Sequence, residues 1–323
     1  MRLVRYVAAA VVLLAGGVEV SRQFRSSEPP QRAIPQAKLP DAFLKMPFHL
    51  KVGKIILGCQ IGDYKGTAML DTGATDVFWD APKKWYTKPT ARKSLATGIG
   101  DGWEGQFREA RLPPLKLGNR VFNGLIGSER VFERGSTIAH SPGFDSDIIL
   151  GNPFWKEFQV LIDYEKRELT LYSAQTRLPI TRLMPRAIKL SVIMGREAKK
   201  DTTREDFFIS LEVEGQPAKV LLDTGYAFPK FDPDFIKRLP ENGRRIDFAV
   251  GGYPAGEEVR MIPRLPWRVG NQKGTFAVMA QKISTSQSRQ NSKRVGIVSP
   301  LSMGVTKMLI DYPSQSLYLE FEQ

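Results

Sequence analysis

An all-β fold of two similar β-barrel-like lobes is predicted by three features of this 323-residue chain. A strand-like apolar run ending in Asp-Thr-Gly occurs twice, as Met69-Leu70-Asp71-Thr72-Gly73-Ala74 and as Leu221-Leu222-Asp223-Thr224-Gly225-Tyr226. The surrounding segments recur in the same order, as an internal duplication requires. The apolar residues fall in short runs punctuated by Gly and Pro, and helical spacing is scarce.

The duplication runs through most of both halves. The 152-position offset between the two aspartates also sets Leu112-Pro113-Pro114-Leu115-Lys116-Leu117-Gly118-Asn119 on Arg264-Leu265-Pro266-Trp267-Arg268-Val269-Gly270-Asn271. A slightly shorter offset sets Leu161-Ile162-Asp163-Tyr164 on Leu309-Ile310-Asp311-Tyr312, and Leu169-Thr170-Leu171-Tyr172 on Leu317-Tyr318-Leu319-Glu320. A lone Asp-Thr-Gly would read as an ordinary turn at the end of a strand. Two of them, at matching places of a repeated half, ask for another explanation.

Taken in order, Arg2 and Arg5 precede an apolar run from Val7 to Gly17 that ends in small residues. Residues 1–17 read as a secretory signal peptide or, if uncut, as an N-terminal membrane anchor, and the run is short for a membrane span. Residues 18–45 hold Pro29, Pro30, Pro35 and Pro40 among basic residues, the composition of a linker or an activation prosegment. The first lobe is expected over 46–175. In it Phe48 to Val52 alternates, and Lys54 to Ile61 turns at Gly62-Asp63 into Lys65 to Leu70, a hairpin that ends on Asp71. Strands at Val160 to Tyr164 and Glu168 to Tyr172 close this lobe. Pro179 and Pro185 mark a boundary near 174–186. The second lobe, 186–323, closes with Met308 to Tyr312 and Ser316 to Phe321. Short helices are expected at Asn152 to Phe158 and at Asp232 to Arg238.

Composition narrows the chemistry. At 42% hydrophobic and 25% charged the chain is globular, and it is long enough for two cores. Its one cysteine, Cys59, lies in an apolar stretch and reads as a buried small residue; no intrachain disulfide can form. The two histidines, His49 and His140, stand far apart without a His-Glu-x-x-His, which argues against a zinc hydrolase. No nucleophile elbow accompanies them. No cofactor or metal is expected. The net charge of +13 reads as a solvated basic face, with attraction to anionic surfaces as the functional alternative. No nucleic-acid-binding pattern supports that kind of partner. Gly100-Asp101-Gly102-Trp103-Glu104-Gly105 fits G-x-G-x-x-G but opens no helix and sits in no βαβ unit, so no dinucleotide is expected.

What remains is a pair of carboxylates. Two carboxyl groups that share one proton can hydrolyse an amide without a metal or covalent intermediate, one as general base on water and the other as general acid on the carbonyl oxygen. Apolar-apolar-Asp-Thr-Gly, followed later by Ile148-Ile149-Leu150-Gly151, resembles the aspartic peptidases, in a compact form closer to retropepsin-like bacterial members than to pepsin. The resemblance covers most of residues 46–323 in order of segments. It implies Asp71 and Asp223 as the catalytic dyad. It implies that Thr72 and Thr224 hydrogen-bond between the lobes and that Gly73 and Gly225 leave room beside the carboxylates. The substrate would be an extended polypeptide, and one chain would supply the whole site, so a monomer suffices.

The same resemblance implies a flap hairpin at Ala96 to Trp103, with Gly100 and Trp103 near the substrate and Tyr253 as a lesser counterpart. Ala74 and Tyr226 follow the two triplets where many members carry Ser or Thr, and both are candidates to line the substrate cleft. Losing a hydroxyl donor at Ala74 is expected to raise the dyad pKa values. Ser299 stands where the second half should have Gly. Asp163 and Asp311 also recur, but each precedes a turn and is expected to satisfy local backbone donors. The expectation is an exported aspartic endopeptidase, periplasmic or extracellular. The alternative from another class is a peptide- or protein-binding module on the same scaffold that no longer cleaves. A weaker one, an anchored surface-binding protein, leaves the duplicated triplets unexplained.

Overall fold

Hairpin chemistry builds the element that carries the first aspartate. The strand Lys54–Ile61 turns at Gly62, whose φ of +56° suits glycine, and returns as Tyr64–Leu70 with Ile55 opposite Leu70. Along the outgoing strand Ile55, Leu57, Cys59 and Ile61 face the main core, while Ile56 faces a separate small cluster with Met69, Ala74, Phe78 and Ile149. The computed structural model describes residues 39–80, 88–94, 106–131, 146–199, 202–226, 228–239, 244–245, 258–281 and 294–322. Residues 39–323 form one compact unit. The expected signal or anchor at 1–17, the flap at 96–103 and Tyr253 lie outside the described residues.

The fold is all-β, and the described residues form three sheets. A ten-stranded sheet makes the first lobe and an eight-stranded sheet the second. In the second lobe Thr202–Val213 pairs both with Gln216–Leu222 and with Glu258–Val269, which closes the sheet into a barrel. The third sheet has six strands and is shared. The first half contributes Leu44–Pro47, Glu168–Ser173 and Phe158–Asp163; the second contributes Val305–Asp311, Ser316–Phe321 and Ile188–Ser191. At its centre Leu161 pairs with Leu309, its own counterpart 148 positions on, so a pseudo-two-fold axis runs through this pair.

Each duplicated loop is held by the same device. Ile148–Leu150 lies parallel beside Tyr64–Leu70, and Gly296–Val298 lies parallel beside Gln216–Leu222. The Asp71 N–H then donates to Leu150 O at 3.1 Å and the Asp223 N–H to Val298 O at 2.9 Å. These apolar triplets are short and completely buried, as a strand flanked on both sides must be.

Some boundaries differ from the sequence reading. Leu44 and Lys45, within the segment read as linker or prosegment, stand in the strand Leu44–Pro47, and Leu44 is a core residue; residues 18–38 lie outside the described residues. The helix expected at Asn152 to Phe158 is the single turn Asn152–Trp155, because Phe158 is drawn into the shared sheet. The one expected at Asp232 to Arg238 is only a 3-10 turn, Pro233–Phe235, capped by Asp232. A further helical turn, Ile180–Leu183, lies between the halves. Asp163 and Asp311 accept the backbone N–H of Lys166 and of Ser314, as turn residues do.

Candidate active site

Asp71 and Asp223 sit at the ends of equivalent strands, and the structure brings them together from opposite lobes. They are 4% and 8% exposed, and their carboxyl groups hydrogen-bond to each other. The loops are locked by four reciprocal hydrogen bonds. The Thr72 N–H donates to Thr224 Oγ1 and the Thr224 N–H to Thr72 Oγ1, both at 3.1 Å. Thr72 Oγ1 donates to Leu222 O at 2.7 Å, and Thr224 Oγ1 to Leu70 O at 2.9 Å. Each hydroxyl is thus donor and acceptor at once, a role that needs Ser or Thr in a fully buried place. Gly73 and Gly225 lie against the opposite aspartate, where a Cβ would overlap its carboxylate.

The two carboxyls are not equivalent. Asp71 Oδ1 accepts the N–H of Gly73 at 2.8 Å and of Ala74 at 3.0 Å. Asp223 Oδ1 accepts the N–H of Gly225 at 2.7 Å. Burial pushes the Asp71 carboxyl up, against its hydrogen bond from Asp223, the Gly73 N–H, Lys54 and the Ala74 N–H. Burial pushes Asp223 well above the carboxylate range, reinforced by the charge of Asp71 and the hydrogen bond to it. Two carboxyls this close hold one proton between them, and the donors around Asp71 bias that proton towards Asp223. The rise follows the direction expected from Ala74, but its leading cause is burial, not the missing hydroxyl.

Lys54 was not singled out by the sequence. It is 4% exposed, and its charge acts on both aspartates. The hairpin register explains its place: one step beyond the Ile55–Leu70 pair stand Lys54 and Asp71. A tight turn at Gly62-Asp63 implied that register, so the signal was present in the sequence. Asn152 was missed as well. Its Nδ2 donates to Thr72 O at 2.9 Å, and its Oδ1 accepts from the Tyr312 hydroxyl of the other half at 2.9 Å. No local pattern marks an Asn for that duty.

Tyr226 packs on Phe208, Leu221 and Ile297, the counterparts of Ile56, Met69 and Ile149 beside Ala74. In the first lobe Phe78 completes this layer; its counterpart in the second is Lys230, which is 1% exposed. In the first lobe a Cβ at Gly151 would strike Asp76 O at 2.2 Å and Ala74 O at 2.5 Å, so that place takes glycine. Ser299 holds the matching place in the second lobe; it is 2% exposed, and its carbonyl accepts from the Ser302 hydroxyl at 2.6 Å. Of the expected substrate-side residues, Gly100 and Trp103 lie outside the described residues. Cys59 is buried and its thiol is pushed up to about 12 by burial, then by Asp147, which fits an inert core residue. Among the described residues no cluster of His, Cys, Asp and Glu could hold a metal, and no helix is long and apolar enough to cross a membrane.

No protein-family model matches this chain, and no curated protein matches it in sequence. Among solved structures it is similar to the aspartic proteinase from Irpex lacteus, with a TM-score of 0.50. The sequence identity is 9%, over 87% of this chain and 97% of that one. At such identity the likeness is one of fold: this chain has an all-β scaffold like that of an aspartic proteinase.

Proposed function

We propose that the protein is an exported aspartic-type endopeptidase acting on extended polypeptide segments. The observation that carries this reading is the buried, mutually hydrogen-bonded pair Asp71–Asp223, held by two copies of one loop. A buried pair of carboxyl groups is costly, and a scaffold without chemistry to perform has no use for it.

Asp71, with two backbone donors and the field of Lys54, holds the negative charge; Asp223 holds the proton. A water between them and the scissile carbonyl gives a proton to Asp71 as its oxygen attacks the carbonyl carbon. Asp223 gives its proton to the carbonyl oxygen, and a neutral gem-diol forms. In the collapse Asp71 protonates the leaving nitrogen, Asp223 takes back a hydroxyl proton, and the C–N bond breaks. The pair returns to its starting protonation, so every proton is accounted for. Burial supports this chemistry because developing charge is opposed by little water.

The test is digestion of a diverse peptide library by the purified protein from acid to neutral pH, read by mass spectrometry. Cleavage at internal bonds supports the proposal. Intact peptides retained by a folded protein would instead fit a binding module on the same scaffold.

A further inference from the structure

The shared six-stranded sheet has two faces of different kind. Val160, Ile162, Met308 and Ile310 point into the main core, together with Leu70 and Leu222 of the strands that carry the aspartates. Leu161, Tyr172 and Leu309 point the other way, into a separate cluster. The outer face of the sheet is thus turned away from the dyad. The chain between the halves crosses it: Leu178, Ile180, Leu183 and Met184 pack on that cluster. Ala42 packs there too, so the chain enters the described fold at this face.

The crossing segment is one-sided in charge. Residues 174–191 hold Arg177, Arg182, Arg186 and Lys189 and no Asp or Glu. All four are exposed, since the apolar residues between them take the side of the sheet. Among the described residues none of the four has an ion-pair partner; Lys189 lies over the Tyr318 ring at 5.8 Å. The carboxylates of this face are already engaged. Glu168 pairs with Lys45 at 2.9 Å, and Lys307 lies 3.8 Å from Asp163 and 3.5 Å from Glu320. Glu320 also accepts the Arg186 N–H at 3.0 Å, Asp311 accepts from Ser314, and Asp41 has a partner of its own. The sequence just before the described fold continues the bias: residues 22–38 carry Arg22, Arg25, Arg32 and Lys38 against one acid, Glu28.

We propose that this outer face docks on an anionic phospholipid bilayer through Arg177, Arg182, Arg186 and Lys189. A lipid surface meets four spaced cations at once without a matching shape, and each basic side chain close to it strengthens binding about fivefold. The half-buried Leu178, Ile180 and Leu183 between them suit the boundary of headgroups and acyl chains, whereas a nucleic acid would gain nothing from these three. Docked in this way, the protein holds the dyad away from the bilayer. The proposal does not depend on whether the dyad cleaves.

The test is binding of the full chain to phosphatidylcholine vesicles with and without phosphatidylglycerol, read by flotation and by amide hydrogen exchange over residues 174–191. Anionic vesicles are expected to bind the protein and to slow exchange in this segment, and rising salt to weaken both. Neutral vesicles report what residues 1–17 contribute by themselves. Arg182→Gln and Lys189→Gln should each weaken binding to the anionic vesicles about fivefold, and glutamine at all four positions about a hundredfold or more. A control variant carries glutamine for Lys65, Lys116, Arg268 and Lys273, which are exposed on strands outside the shared sheet. It has the same net charge and should bind within about twofold of the parent, because charges far from the contact are screened. The proposal is overturned if anionic lipid adds nothing to binding or protection, or if the fourfold variant binds like the parent. It is equally overturned if the control variant loses as much, which would leave net charge alone as the cause. Equal protection of residues 174–191 by polyglutamate would assign the face to an acidic protein and overturn it as well.

Discussion

Gly73 of one lobe lies directly against Asp223 of the other: a Cβ at Gly73 would overlap the Asp223 carboxylate, and even its farthest atom, Oδ1, would be 2.8 Å away. Gly225 stands in the same relation to Asp71, with Oδ1 at 2.7 Å. The two aspartates can meet only because no side chain intervenes. Gly73→Ala and Gly225→Ala are therefore expected to push the carboxyls apart, abolish cleavage, and destabilise the fold by about 1–3 kcal/mol. Thermal melting and peptide hydrolysis check this. An alanine variant with parental activity would mean that the close approach has no functional part.

The threonine lock is predicted to be worth more than one ordinary hydrogen bond. Thr72→Val keeps the shape but strands the Leu222 carbonyl and the Thr224 N–H, both buried. A loss of about 2–4 kcal/mol is expected in chemical denaturation, and Thr72→Ser should recover most of it. Thr224→Val should behave alike, and the double variant should cost less than the two singles added, because they break one network. Additive losses would count against a reciprocal lock.

Lys54 sets the acid side of the pH dependence. Its charge favours the ionised form of both aspartates, so Lys54→Met removes a charge that holds their pKa values down. The acid limb of the pH–rate profile is expected to move to higher pH in Lys54→Met and to stay near the parent in Lys54→Arg. A profile that keeps its acid limb in Lys54→Met would contradict this.

Stability should carry the mark of the raised Asp223. In the unfolded chain its carboxyl ionises near 3.8, and in the folded protein well above that. Below 3.8 both states hold the proton and the stabilisation is fully present. As pH rises, the unfolded chain releases its proton first, and stability falls until the folded carboxyl also ionises. The slope is about 1.4 kcal/mol for every pH unit between the two values. Asp223→Asn cannot ionise, so its melting temperature should exceed the parent's increasingly from acid to neutral pH. A difference that does not change with pH would contradict the assignment.

Strands were legible where alternation and turn chemistry agreed. Ser316 to Phe321 was read to the residue, and the hairpin ending at Asp71 to within one. The meeting of Asp71 and Asp223 was legible because duplication imposes a two-fold arrangement, and two equivalent loops on an axis are bound to face each other. Less was legible where tertiary context decides. Asn152 to Phe158 carries a helical pattern, but pairing of Phe158 in the shared sheet ends the helix at Trp155. Lys54 looks like a surface lysine at a strand start until its register places it beside Asp71.

The central claim is tested most directly by assaying the parent, Asp71→Asn and Asp223→Asn on a peptide that the parent cleaves, with all three shown to be folded. The shared-proton dyad predicts that either substitution lowers the rate by a factor of about 10³ or more, because an amide can neither take nor give the proton. Cleavage that persists at the parental rate in either variant would contradict it.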